Sequence, residues 1–127
     1  MKTAVLPFSL TSFLNSARNR AAVISLVVSA VVCAPVVEEA IFRGAVLRGL
    51  LSKMPAVPAI VLQGALFGCA HFNPDFGRDS IGLIVVLSVA GAGFGLAAYF
   101  LRRIGPTIIA HAVLNGVAIT VALVTDT

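Results

Sequence analysis

The sequence predicts an all-α fold, a polytopic transmembrane helical bundle of about four spans with a buried polar site. Three observations carry that prediction. Of 127 residues, 59% are hydrophobic and only 11% charged, against about 25% charged in an ordinary soluble domain, and the mean hydropathy is +1.05. Apolar runs of membrane-spanning length are separated by Pro, Gly and Arg breaks, and none shows the period-two alternation of a strand. Glu38, Glu39, Arg43, His71 and His111 lie within those runs and not between them. At about 20 residues per span, the length allows four or five helices and leaves no room for a separate soluble domain.

Residues 1–20 mix Leu6, Phe8, Leu10, Phe13 and Leu14 with Ser, Thr, Asn and Arg, a composition suited to a short interfacial helix or a flexible lead-in. Residues 21–127 form the transmembrane core. A signal peptide cleaved after Ala34 would place Pro35 next, so the run from Ala21 reads as a retained helix. It continues to Leu51, with a bend expected at Pro35.

Met54 to Pro58 is a break containing two prolines, and Ala59 to His71 reads as a second helix, short for a span, that stops at the Asn73-Pro74 turn signal. Asn73 to Ser80 is a polar connection, and Ile81 to Leu101 is a full-length span. Its Gly91, Gly93 and Gly95 would let a neighbouring helix approach closely. Arg102 and Arg103 mark a membrane border, Gly105-Pro106 restarts the chain, and a fourth helix runs to about Val124.

The net charge of +4 does not indicate nucleic acid. Its nine basic residues sit mostly at the borders of apolar runs, as membrane anchors do, and no water-exposed basic face with stacking aromatics is visible. They divide almost evenly between the two sides, so orientation stays open. Cys33 and Cys69 lack a C-x-x-C spacing and read as small core residues.

An ionised side chain at mid-membrane costs about 2.5–3.5 kcal/mol, so the charges in the first helix need partners. Glu39 and Arg43 are four residues apart and share a helix face, which suits an internal salt bridge. That leaves Glu38. A carboxylate in low dielectric holds a proton more tightly, which fits it to take one from water, and Glu38 is the candidate base.

His71 and His111 lie on separate helices, and each needs a polar partner. Asn115 follows His111 by four residues, so amide and imidazole share a face; Phe67 is placed likewise under His71, as packing. A carboxylate with an imidazole can activate water while His111 and Asn115 stabilise an oxyanion, which is the chemistry of peptide or ester hydrolysis. The competing version is a metal: Glu38, His71 and His111 make the three-ligand set of a catalytic zinc.

Glu38-Glu39-Ala-Ile-Phe-Arg43, Phe67-Gly-Cys-Ala-His71 and His111-Ala-Val-Leu-Asn115 stand in order on separate apolar helices. Together they resemble the CPBP family of intramembrane proteases, whose signature is E-E-x-x-x-R, F-x-x-x-H and H-x-x-x-N or D. That family includes type II CAAX prenyl endopeptidases and bacterial proteins linked to bacteriocin processing and immunity. The resemblance covers residues 21–124 and implies an intramembrane endopeptidase acting on a membrane-associated peptide or protein. Glu38 and His71 would activate water, His111 and Asn115 would hold the oxyanion, and Glu39 and Arg43 would shape the site or contact substrate.

The family has been described both as zinc-dependent and as glutamate-type, which leaves the metal open. The implied location is a cell membrane, with the bacterial plasma membrane as the family-based expectation. Members usually carry more helices, so a second copy could supply cavity walls here, with Gly91 to Gly95 as the contact. The rival to catalysis is a membrane scaffold or bacteriocin-immunity protein in which the same polar cluster fixes helix packing. For a working site, the second helix must end inside the membrane near Phe72 to Pro74, over a water-filled cavity, with His71 within about 10 Å of Glu38.

Overall fold

A computed structural model of the chain describes residues 20–125; the lead-in expected over residues 1–20 lies outside them except for Arg20. Four helices follow one another: α1 (Arg20–Leu51), α2 (Ala56–Cys69), α3 (Asp79–Leu101) and α4 (Gly105–Thr125), with a 3-10 turn at Pro74–Phe76 between α2 and α3. At 1.5 Å per residue, α1, α3 and α4 are about 48, 35 and 32 Å long, enough for a hydrocarbon core of about 30 Å, whereas α2 reaches only about 21 Å. The protein is therefore a multi-pass membrane bundle of three full-length helices and one short apolar helix.

Its exterior confirms the solvent. Val57, Val61, Val86, Val89, Ile109 and Val124 are each 60–73% exposed, while Glu39, Arg43, Gln63, Ser80, Thr107 and His111 are buried. That inversion is stable only where lipid covers the apolar surface and polar groups pair inside. Cys33 and Cys69, expected in the core, are both exposed, because a lipid-facing position accepts a small apolar side chain as readily as an interior one.

α1 is not a uniform α-helix. Two π-helical segments, Ser29–Cys33 and Ala40–Val46, interrupt it, and the Ala34 and Leu47 amides donate to the Ser29 and Phe42 carbonyls five residues back. The bend expected at Pro35 thus takes the form of a widened turn just before the proline, in keeping with the missing N–H and the bulk of its ring. The second wide turn carries Arg43, and the two glutamates lie in the short α-helical piece between them.

α2 starts at Ala56, three residues earlier than the proline pair suggests, because Pro58 falls in the first turn, where a helix has no use for its N–H. It ends at Cys69, ahead of the expected Phe72 to Pro74. The amides of His71 and Phe72 then bond to the Gly68 and Cys69 carbonyls in tighter turns. Asn73 begins the 3-10 turn, its side-chain oxygen accepting from the Asp75 amide at 3.0 Å, and Gly77 adopts φ +54°, a left-handed conformation, before α3 begins.

α2 packs most extensively on α3. Gly64 and Gly68 on α2 meet α3 backbone, and Gly91 and Gly95 on α3 meet the Phe67 and Gln63 side chains. Gly91 and Gly95 thus serve packing within the chain, while Gly93 between them faces outward. A Cβ at Gly64 would sit 2.7 Å from the Ala92 amide nitrogen and 2.8 Å from the Ser88 carbonyl oxygen, so Gly64→Ala must push the helices apart. The expected cost is about 1–3 kcal/mol, read as a lowered unfolding midpoint in detergent. A midpoint equal to wild type would contradict this packing.

Candidate active site

The end of α2 is where the site begins. Because the His71 amide bonds to Gly68, the Phe67 carbonyl lacks its intrahelical donor, and His71 Nδ1 lies 2.8 Å from that oxygen. A carbonyl only accepts, so Nδ1 carries the proton and donates, and the ring caps its own helix. Nε2 is then an unprotonated acceptor in the neutral ring. It lies 3.7 Å from Glu38 Oε2, well inside the 10 Å limit.

His111, on α4, is set in the same sense by a different partner. Its Nδ1 is 2.9 Å from Glu39 Oε1, so it donates to that carboxylate, and its Nε2 lies 3.6 Å from Glu38 Oε2. The two imidazoles therefore turn their acceptor nitrogens toward one carboxylate oxygen. That oxygen, Glu38 Oε2, is buried and has no hydrogen-bond partner.

Below this group lies the expected Glu39–Arg43 pair. Arg43 Nη1 donates to Glu39 Oε1 at 2.8 Å, and both side chains are fully buried. The same oxygen thus accepts from Arg43 and from His111. Arg43 Nη2 donates to the Gly91 carbonyl on α3 at 2.9 Å, so one guanidinium ties α1 to α3 while its carboxylate partner ties α1 to α4. Unpaired, either charge would carry a desolvation penalty of several kcal/mol.

Aromatic rings fill the space around these groups. Phe67 is edge-on to Phe42 and His111, tilted against His71, and lies 4.6 Å from the Arg43 guanidinium carbon. Phe94 of α3 stacks on His111 with centroids 5.3 Å apart. Both rings present their faces to cation or imidazole, a favourable arrangement in a dry interior. Phe67 is thus more than packing under His71, since it touches every cationic or imidazole member of the cluster.

Asn115 lines the cavity with His111 but spends one amide hydrogen elsewhere. Its Nδ2 donates to the Ala30 carbonyl of α1 at 2.8 Å. That carbonyl has been stripped of helical donors, because the Ala34 amide bonds to Ser29 and Pro35, the donor position for a π turn, has no N–H. Asn115→Ala leaves a backbone acceptor unpaired, and a loss of about 1–3 kcal/mol in stability is expected. Unfolding in detergent checks it. An unchanged midpoint would mean that lipid-side water or another donor replaces the amide.

Glu38, His71, His111 and Asn115 face a cavity of about 390 Å³, closed on other sides by Asn73, Phe76, Leu87 and Phe94. This volume holds several waters or a peptide segment. Sequence reading missed Phe94, whose neighbours give no sign of chemistry, and Gln63, whose Nε2 lies 3.5 Å from the Gly91 carbonyl. Gln63 had a signal: it precedes Phe67 by four residues and His71 by eight, one polar-aromatic stripe on an otherwise apolar helix.

Zinc was the competing version of the site. The three atoms suit it by type, as two imidazole nitrogens and a carboxylate oxygen. Tetrahedral coordination at about 2.0–2.1 Å would hold them about 3.3 Å apart, closer than 3.6 and 3.7 Å. No group of three His, Cys, Asp or Glu residues among the described residues is arranged to hold a metal ion. As placed, the three do not form a zinc cage.

A carboxylate and two imidazoles, inside apolar helices and beside a cavity, make this a multi-pass membrane protein with a buried polar cluster. The family described as "Type II CAAX prenyl endopeptidase Rce1-like" matches residues 20–117. The chain belongs to that family. No curated protein and no solved structure matches it significantly.

Proposed function

We infer that the protein is an intramembrane endopeptidase that hydrolyses a peptide bond in a membrane-associated substrate. The observation that carries the reading is the convergence of three acceptors, Glu38 Oε2, His71 Nε2 and His111 Nε2, at 3.6 and 3.7 Å. Those separations are too long for direct hydrogen bonds, and acceptors facing one another need a donor between them. A water bridging Glu38 and His71 supplies two O–H groups at the required place.

Glu38 takes a proton from that water as its oxygen attacks the scissile carbonyl carbon. His71, held by the Phe67 carbonyl, orients the water through Nε2. The carbonyl oxygen gains negative charge, and His111, which takes a solvent proton at Nε2 as substrate enters and keeps it through the step, donates to that oxygen while Glu39 stabilises the imidazolium through Nδ1. Asn115 contributes its remaining amide hydrogen. The C–N bond then breaks, and the proton held by Glu38 passes to the leaving nitrogen, which returns the carboxylate.

The family's description makes peptides ending in a CAAX sequence one substrate to try, beside a mixed peptide library. The test is cleavage by detergent-purified protein, wild type against His71→Ala, with and without chelator and re-added zinc. Cleavage by wild type that is lost in the folded variant and indifferent to chelator supports the glutamate-activated water. Activity removed by chelator and restored by zinc would give Glu38, His71 and His111 to a metal instead.

A further inference from the structure

We propose that the end of the bundle away from the Asn73 to Ser80 connection carries a second site, a pocket for a phosphate-bearing anion lined by Arg48, Arg102 and Arg103. These residues, with Tyr99 and the inner wall formed by Arg43, enclose a cavity of about 240 Å³ where the end of α1 meets the α3–α4 connection. Its lining has no residue in common with that of the candidate active-site cavity, and the two meet through Arg43, whose carboxylate partner Glu39 belongs to the other cluster. The proposal does not depend on the peptidase reading.

The charge there is one-sided. The four described carboxylates are Glu38 and Glu39, within α1, and Asp75 and Asp79, in the connection at the opposite end. No acidic residue among the described ones pairs with Arg48, Arg102 or Arg103. Arg48, Arg102 and Arg103 are exposed border arginines, and all three line one concavity. Beneath them Arg43 is fully buried with its charge matched by Glu39, and its Nε, which has no hydrogen-bond partner, leaves one spare donor on a residue that lines the pocket. The α4 helix begins at the rim, adding the positive end of its dipole.

Guanidinium groups grip oxyanions two oxygens at a time, and at a membrane border the oxyanion present in quantity is phosphate. The ligand class is therefore a phosphate monoester or diester. At a membrane border it can come from an acidic lipid headgroup or from phosphate in the water phase, and the experiment separates these sources.

Arg102 supplies an unusual variant. It ends α3 at φ 55°, a left-handed conformation that glycine adopts without penalty. Arg102→Gly thus deletes a charge while suiting the backbone. The full chain in detergent is measured by native mass spectrometry with phosphatidylglycerol against phosphatidylcholine, and with inorganic phosphate as competitor, for wild type, Arg102→Gly/Arg103→Gln and Arg78→Gln, a basic residue at the other end.

The expected result is preferential retention of phosphatidylglycerol, weakened about 25-fold in the double variant at about fivefold per arginine, and unchanged in Arg78→Gln. Displacement by millimolar inorganic phosphate, or binding of phosphate without lipid preference, assigns the pocket to the free anion. Equal retention of both lipids with no phosphate binding overturns the proposal, as does a loss in Arg78→Gln equal to that in the double variant. Size-exclusion profiles confirm that each variant remains folded.

Discussion

Glu38→Gln is expected to lower peptide cleavage by roughly 10²- to 10⁴-fold, the range attributed to a positioned general base, while leaving the bundle as stable as wild type. The two halves of that expectation have separate causes. An amide cannot take a proton from water, so the attacking oxygen loses its activation. The fold is spared because the reactive oxygen makes no hydrogen bond to lose, and the isosteric amide can donate to either imidazole Nε2. Initial rates and unfolding midpoints on the same preparations check both halves. Retained cleavage would remove Glu38 from the chemistry; a collapse in stability would favour the scaffold reading, in which the cluster exists to hold helices together.

Arg43→Met has the opposite profile, with a large stability loss of about 3–5 kcal/mol, the usual result of removing one partner of a buried pair. Met keeps much of the stem that packs beside Phe67, but Glu39, 0% exposed, would retain its charge with only His111 to answer it, and the Gly91 carbonyl would lose its charged donor. Adding Glu39→Gln should recover much of the loss, since no uncompensated charge remains. Activity should not return, because an amide cannot stabilise the His111 imidazolium as the Glu39 carboxylate does. Denaturant titrations of the two single variants and the double variant give the cycle. A single-variant loss under about 1 kcal/mol would show that water reaches this pair.

Much of this arrangement was legible before any coordinates. Glu39 and Arg43 pair because positions four apart share a helix face, and Glu38, His71 and His111 meet because charged and imidazole groups in apolar helices have nowhere else to go. The polytopic all-α fold follows from composition and break residues alone. What the linear pattern hides is distance-dependent. The Glu39–His111 bond spans 72 positions and the Asn115–Ala30 bond spans 85, and neither leaves a local trace. Gly91 and Gly95 could have faced either a second copy or α2, and only the Phe67 and Gln63 side chains lying against them decide it. The cysteines misled for a related reason, since lipid and protein interior are alike to a thiol.

The wide turns in α1 also bear on how the helix keeps angle. Each residue of an α-helix advances the side chains by about 100°, so one inserted or deleted residue would normally swing everything beyond it to another face. A π turn absorbs an extra residue while the flanking α-helical segments keep nearly the phase they would have without it. Ala40–Val46 is therefore a stretch of α1 where length can change by one between Gly44 and Val46 without carrying Leu47 and Arg48 away from their cavity. Between Ala34 and Glu39 the same change would turn the carboxylates away from the histidines, so the tolerance of this helix to a single-residue deletion differs sharply over one or two turns.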